Sequence, residues 1–249
     1  MLIVISSILM LAFIVSKKRF VGFIAWLLTG FAFLQNVPYF IAIKDYFNTT
    51  VFILAFLLFT IMGYTALRGN LNVMIETTRF SLLAIAFYFP FELCEPLKIT
   101  LIKVVTDQTI ALGKLLGFEF KRLSWNEITL NGKGVKIILP CTGIESMALF
   151  AGACLGVKAD LSRKVKAFLI SVPVIYVLNL FRNVFVLASY GYGWFGENSF
   201  YIAHHVIAKF LALVSLIIIT TLVFRELPEL EKLIVNLKVE IEKVVRNDR

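Results

Sequence analysis

Gly134-Val135-Lys136-Ile137-Ile138-Leu139-Pro140-Cys141-Thr142-Gly143-Ile144-Glu145 is the stretch in which a polar, strand-like segment ends and an apolar helix begins. Upstream of it, Phe118 to Leu123 and Glu127 to Leu130 also read as strand. Asn131-Gly132 between the runs is a hairpin signal, because both residues tolerate the positive φ of a type I′ turn. Downstream, Ile144 to Val157 carries no charge after Glu145 and reads as a membrane span. Thr142 followed three residues later by Glu145 has the form of a capping box, which predicts a helix beginning at Thr142 with Cys141 just outside its amino end.

The rest of the chain is of the same apolar kind. It has 249 residues, of which 59% are hydrophobic and 24 are Phe, and its mean hydropathy is +0.87. Soluble domains average about 45–50% apolar, so the chain reads as a polytopic membrane protein. No Pro/Gly/Ser-rich linker, internal repeat or low-complexity tract divides it. The formal charge of +9 would suggest a nucleic-acid partner in a soluble protein, but the basic residues cluster at the ends of apolar runs. That is a topology signal, and no nucleic acid is expected. Cys94, Cys141 and Cys154 match no zinc or disulfide spacing, and their odd number leaves at least one thiol unpaired.

The expected fold is an all-α polytopic membrane protein with about seven (six to eight) spans, an interfacial amphipathic helix and a small extracytoplasmic β-hairpin. The spans run about Met1–Val15, Phe20–Ile43 with Pro38 inside, Val51–Leu67, Phe80–Cys94, Ile144–Val157, Ala167–Tyr190 and Phe200–Phe224. The polar stretches Lys44 to Thr50 and Asn72 to Arg79 separate spans. Lys17-Lys18-Arg19 follows the first apolar run and nothing basic precedes it, the reverse of a signal peptide's charge order, so this run reads as a retained helix that starts outside. Leu101, Val105, Leu112 and Leu115 recur at helical spacing with Lys98, Lys103, Asp107 and Lys114 between them, which marks about 97–116 as the interfacial helix. Residues 1–224 are read as a single bundle, with the part about 117–224 carrying the site and the hairpin at about 118–139; 225–249 is a charged cytoplasmic tail helix.

Basic residues in the short loops set the orientation. Lys17/Lys18/Arg19, Arg68 with Arg79, and Lys158/Arg163/Lys164/Lys166 fall on the cytoplasmic side, and the Gly191 to Ser199 loop, without Lys or Arg, falls outside. The seven basic residues of 97–140 oppose this count, but long loops follow the rule less strictly. With this topology Cys141, Arg182 and His204 all fall in the outer part of the bilayer, at ~1.5 Å of rise per residue.

Each of the three has a chemical reason to be there. Free N–H groups and the dipole at a helix start favour a thiolate at Cys141 and hold an oxyanion. An imidazole takes and returns a proton near neutral pH, which fits His204, with His205 beside it. Arg182 stays charged under burial and suits a developing oxyanion or a peptide carbonyl, flanked by Asn179 and Asn183. Cys94 and Cys154 read as small buried hydrophobes. Lys209 reads as a snorkelling side chain, and Glu145 as the capping partner.

The trio Pro-Cys-Thr-Gly-Ile at 140–144, Asn-Leu-Phe-Arg-Asn at 179–183 and Ala-His-His-Val-Ile-Ala at 203–208, on three successive spans, resembles the exosortase/archaeosortase family, most closely its archaeal branch. The likeness runs from about Gly117 to Phe224, and the amino-terminal spans share only hydropathy. The resemblance implies a polytopic membrane cysteine transpeptidase of the plasma membrane with its site on the extracytoplasmic face. It carries the nucleophile onto Cys141, the essential arginine onto Arg182 and the third position onto His204, with Thr142, Gly143, Asn179, Asn183 and His205 in substrate-binding or supporting places. The implied partners are membrane proteins with a carboxy-terminal motif, a membrane helix and a basic cluster, and a lipid or amine acceptor. Neither cofactor nor metal is implied. The residues alone leave three other readings open: a transporter or channel using Arg182, His204 and Lys209, a non-enzymatic assembly protein that needs the hairpin and tail, and a membrane acyltransferase. A metalloprotease lacks His-Glu-x-x-His spacing, a serine hydrolase its Gly-x-Ser-x-Gly elbow, and no Gly-rich phosphate loop is present.

Overall fold

The computed structural model describes residues 1–246, so the last three positions of the expected tail lie outside the described residues. The chain divides into two units. The first comprises Met1–Leu83, Gly156–Lys158 and the tail from Pro228, and the second Ala84–Leu155 and Ala159–Leu227.

The first unit is helical: α1 (Leu2–Ser16), α2 (Arg19–Leu34), α3 (Val37–Ala42), α4 (Tyr46–Arg68), the first half of α5 (Leu71–Leu93), and α11 (Pro228–Arg246). α2 packs on α1 and α4 around the buried side chains of Met10, Phe13, Trp26 and Met62. The close approach of α1 and α2 depends on Gly22, where a Cβ would lie 2.8 Å from the Phe13 ring. At one end of this unit Arg19 donates to the carbonyls of Leu67 (3.1 Å) and Gly69 (2.7 Å), and Lys158 pairs with Glu76 at 2.9 Å. The loops that basic-residue counting assigns to one side therefore do meet.

Three boundaries of this unit's helices differ from expectation. Pro38 sits in the first turn of α3 after a break at Gln35-Asn36, where its missing N–H leaves no helical bond unmade. α4 starts at Tyr46 because the Asp45 carboxylate accepts from the Asn48 N–H (3.0 Å), so most of the polar stretch 44–50 is helix rather than loop. α5 starts at Leu71, well before Phe80. Its polar first half is tolerated because the Thr77 and Thr78 hydroxyls donate to carbonyls one turn back and Thr78 accepts from the Trp26 indole (3.1 Å).

The second unit holds α6 (Glu95–Leu115), the strands β1 (Lys121–Ser124), β2 (Glu127–Leu130) and β3 (Lys133–Lys136), α7 (Ile144–Gly156), α8 (Leu161–Tyr192), the short α9 (Ser199–Tyr201) and α10 (Ala208–Glu226). The expected hairpin is part of a three-stranded antiparallel sheet in the order β1-β2-β3. Asn131 (φ 52) and Gly132 (φ 78) make its left-handed turn. Ile128 and Leu130 point inward, and Leu130 lies against Gly191, where a Cβ would be 2.5 Å from it. Lys133 donates to the Tyr190 carbonyl at 2.9 Å, so the sheet rides on the carboxy end of α8. At the opposite end of α8, Lys166 pairs with Glu226 of α10 at 2.7 Å.

Five segments are long and apolar enough to cross a membrane: Arg19–Ala42, Tyr46–Arg68, Leu71–Leu93, Leu161–Tyr192 and Gly196–Glu226. Leu2–Ser16 and Ile144–Gly156 are apolar but shorter; at ~1.5 Å per residue they fall below the ~30 Å hydrocarbon core. The molecule is thus a multi-pass, mostly helical membrane protein, with five segments of spanning length among the described residues where seven crossings were expected.

Candidate active site

The approach to α7 is not the capping box that Thr142 and Glu145 suggest. Leu139–Thr142 forms a turn of 3₁₀ helix, Gly143 turns left-handed at φ 77, and the α-helix begins only at Ile144. The Gly143 carbonyl accepts the first helical bond, from the Met147 N–H (3.1 Å). The Thr142 hydroxyl donates back to Leu139 O (2.7 Å) and accepts from the Ile144 N–H (3.3 Å), so it braces the turn and does not reach the Glu145 amide. Pro140 explains the change: its fixed φ and missing N–H suit the first positions of a tight turn. The Cys141 amide is itself engaged, donating to Ile138 O at 2.8 Å. The amide N–H of Cys141 itself is therefore not free beside the thiol.

Side chains from α8 reach the Cys141 turn. Asn179 and Asn183, one turn apart on one face, both donate their amide N–H to the Cys141 carbonyl, at 2.6 and 2.9 Å. Gly143 packs on Asn179, where a Cβ would lie 3.1 Å from its Cγ. Arg182 lies between the two asparagines in sequence, and its Nη2 is 3.3 Å from Nε2 of His204. A guanidinium only donates, so Nε2 accepts and the neutral ring carries its proton on Nδ1. That Nδ1 is buried without a hydrogen-bond partner among the described residues. The imidazole lies parallel to the Phe200 ring, centroids 5.2 Å apart.

Which of the two adjacent histidines faces the site is decided by backbone that sequence reasoning missed. Ile202–Ile207 is a π-helical turn between α9 and α10, a local widening that recurs at functional sites. It turns His204 onto Arg182 and leaves His205 exposed, stacked on Tyr201 at 5.3 Å. Nothing in the residue types from 202 to 207 signals a π turn.

A cavity of about 460 Å³ lies beside this arrangement between α8 and α10. Gly143, Asn179 and Arg182 line it, with Ile175, Leu216 and Ile219 among its apolar walls. Its mark in the sequence is the small-residue face of α10 made by Ala208, Ala212 and Ser215. Cys141 is half-buried, Cys154 is buried 3.8 Å from the Ser171 hydroxyl, and Cys94 is exposed between α5 and α6. The buried reading thus fits Cys154 and is wrong for Cys94, because Cys94 sits at the bend before Pro96 rather than on a packed face. Lys209 is exposed on α10.

The sequence model of the family described as transmembrane exosortase matches residues 2–222. The chain belongs to the transmembrane exosortase family. The match includes the amino-terminal spans, whose likeness was visible only as hydropathy. Among curated relatives, archaeosortase A of Haloferax volcanii is 28% identical over 242 residues, covering 83% of this chain and 80% of that protein. Archaeosortase A of Natronomonas pharaonis is 26% identical over 247 residues, covering 87% and 78%. No solved structure matches the chain.

Proposed function

We propose that this exosortase-family protein is a membrane cysteine transpeptidase that removes carboxy-terminal sorting signals from exported surface proteins. The observation that carries the proposal is the anchoring of the Cys141 turn to α8 on either side of Arg182, with Arg182 in turn on His204. Cys141 Sγ attacks the scissile carbonyl near the outer face of the plasma membrane. The carbonyl oxygen takes the negative charge and draws the Arg182 guanidinium toward it, which releases His204 Nε2 to accept the thiol proton. As the C–N bond breaks, His204 returns that proton to the departing amine, and the substrate is left as a thioester on Cys141. A lipid or amine acceptor then attacks the thioester and regenerates the thiol. The substrate side consists of membrane proteins with a short motif, a membrane helix and a basic cluster at the carboxy terminus.

The test is Cys141→Ser in cells that carry a tagged substrate, together with mass spectrometry of any adduct trapped on the wild-type enzyme. Processing is expected to fall by about 10³-fold or more with membrane insertion unchanged, and the adduct is expected to be a peptide thioester. Retained processing overturns the proposal, and a lipid acyl adduct replaces it with an acyltransferase.

A further inference from the structure

Asn179 and Asn183 each commit an amide N–H to the backbone of the Cys141 turn. Both amide N–H groups end on the same atom, the Cys141 carbonyl oxygen, at 2.6 and 2.9 Å. A carbonyl has two lone pairs, so this oxygen is fully engaged from outside its own turn. The amide orientation is set by the same fact, since a carbonyl oxygen accepts and never donates. The two residues stand four apart on α8, about 6 Å along the axis, and their amides converge on the one oxygen. Gly143, in its left-handed conformation, packs against Asn179. The Cys141 amide is tied to Ile138. The Cys141 backbone is therefore held at its N–H by its own turn and at its C=O by the helix that carries Arg182.

We infer that Asn179 and Asn183 are positioning residues: a two-point clamp on the Cys141 carbonyl that sets the nucleophile's register against Arg182. The inference rests on the transpeptidase reading for the identity of the nucleophile. It differs from a substrate-binding role in its consequence: each asparagine keeps a second N–H and its Oδ1, but losing the N–H held on Cys141 displaces the nucleophile instead of weakening a peptide contact. A two-point clamp also has a signature that independent contacts lack. Once either point is gone the turn pivots about the other, so the second loss adds little.

The experiment compares Asn179→Ala, Asn183→Ala and the double variant in the full-length protein, in a Cys94→Ala/Cys154→Ala background so that Cys141 is the only thiol. Steady-state processing of a tagged substrate and the rate of Cys141 alkylation by a small maleimide are both measured. Each single variant is expected to lower kcat by about 10- to 100-fold with KM unchanged, since a displacement of about 1 Å at a reacting group costs on that order. The double variant is expected to lose no more than about threefold beyond the worse single variant, and alkylation is expected to speed up as the turn loosens. Multiplicative losses with raised KM mean that the asparagines touch substrate, and unchanged kcat means that they do neither; both overturn the clamp. Asn179→Leu and Asn183→Leu keep about the side-chain volume and remove the donor without adding a charge, and they carry the test if an Ala variant fails to accumulate. Processing by Cys141→Ser would sink the underlying transpeptidase reading instead, and so marks the two failures apart.

Discussion

The two units of the chain use polar groups differently. In the first, Thr29, Thr60, Thr65 and Thr77 each donate to a carbonyl one turn back on their own helix, and the Trp26 indole finds Thr78. The threonine bonds hide polar atoms inside an apolar scaffold and fix nothing but the helix that carries them, while the Trp26 indole ties α2 to α5. In the second, Asn179 and Asn183 reach Cys141 across 38 and 42 residues of chain, and Arg182 reaches His204 across 22. Long-range polar bonds between helices cost more to assemble and specify one geometry, which is where a reaction centre is expected.

The sharpest way to break this contrast is Arg182→Lys. The charge survives but the planar fork does not, so processing is expected to fall by about 10²–10³-fold, measured on a tagged substrate; near-normal turnover would mean that Arg182 supplies only charge. Next, His204→Ala is expected to cost about 10²-fold or more and His205→Ala less than about threefold in the same assay. A reversal would show that the π turn presents the other ring to the site. In the scaffold, Gly22→Ala forces a Cβ onto Phe13. It is expected to destabilise by about 1–3 kcal/mol, read as a lower midpoint in detergent thermal unfolding, while turnover per folded molecule stays the same.

The smallest effect concerns the tail helix α11, where Glu240 accepts from the Asn70 N–H at 2.8 Å and from Lys243 at 3.1 Å. Burial pushes its carboxyl up, but Lys243 and the Asn70 N–H outweigh that and hold it below the ordinary carboxylate range. A lowered carboxyl contributes stability that is present above the unfolded pKa and is lost as pH falls through the folded one. Glu240→Gln is therefore expected to lower the thermal midpoint at neutral pH, with the difference from wild type shrinking under acid conditions. An equal difference at all pH values would mean that the charge plays no part.

Periodicity was enough to find every long helix, because a run of apolar side chains leaves a membrane segment few alternatives. It placed the starts of α4 and α5 several residues late, since the rule that polar residues end a span ignores caps such as Asp45 and back-bonded threonines such as Thr77 and Thr78. Asn131-Gly132 disclosed its turn because the positive φ is a property of those two residues. The start of α7 was misread for the opposite reason: Thr142 and Glu145 match a capping pattern, but Pro140 and Gly143 impose a 3₁₀ turn and a left-handed residue that displace it.

By itself, then, the sequence determined the class of molecule, the order of its helices, the strand-turn-strand lead into Cys141 and the identity of the reactive residue types. Those follow from hydropathy, local φ preferences and side-chain chemistry, which act over a few residues. The tertiary structure alone decided that the Cys141 carbonyl is held by Asn179 and Asn183, that Arg182 meets His204 rather than His205, and that a cavity opens beside them. Each depends on how helices distant in sequence turn and approach one another, and a π turn or a pair of convergent amides leaves no mark on local composition.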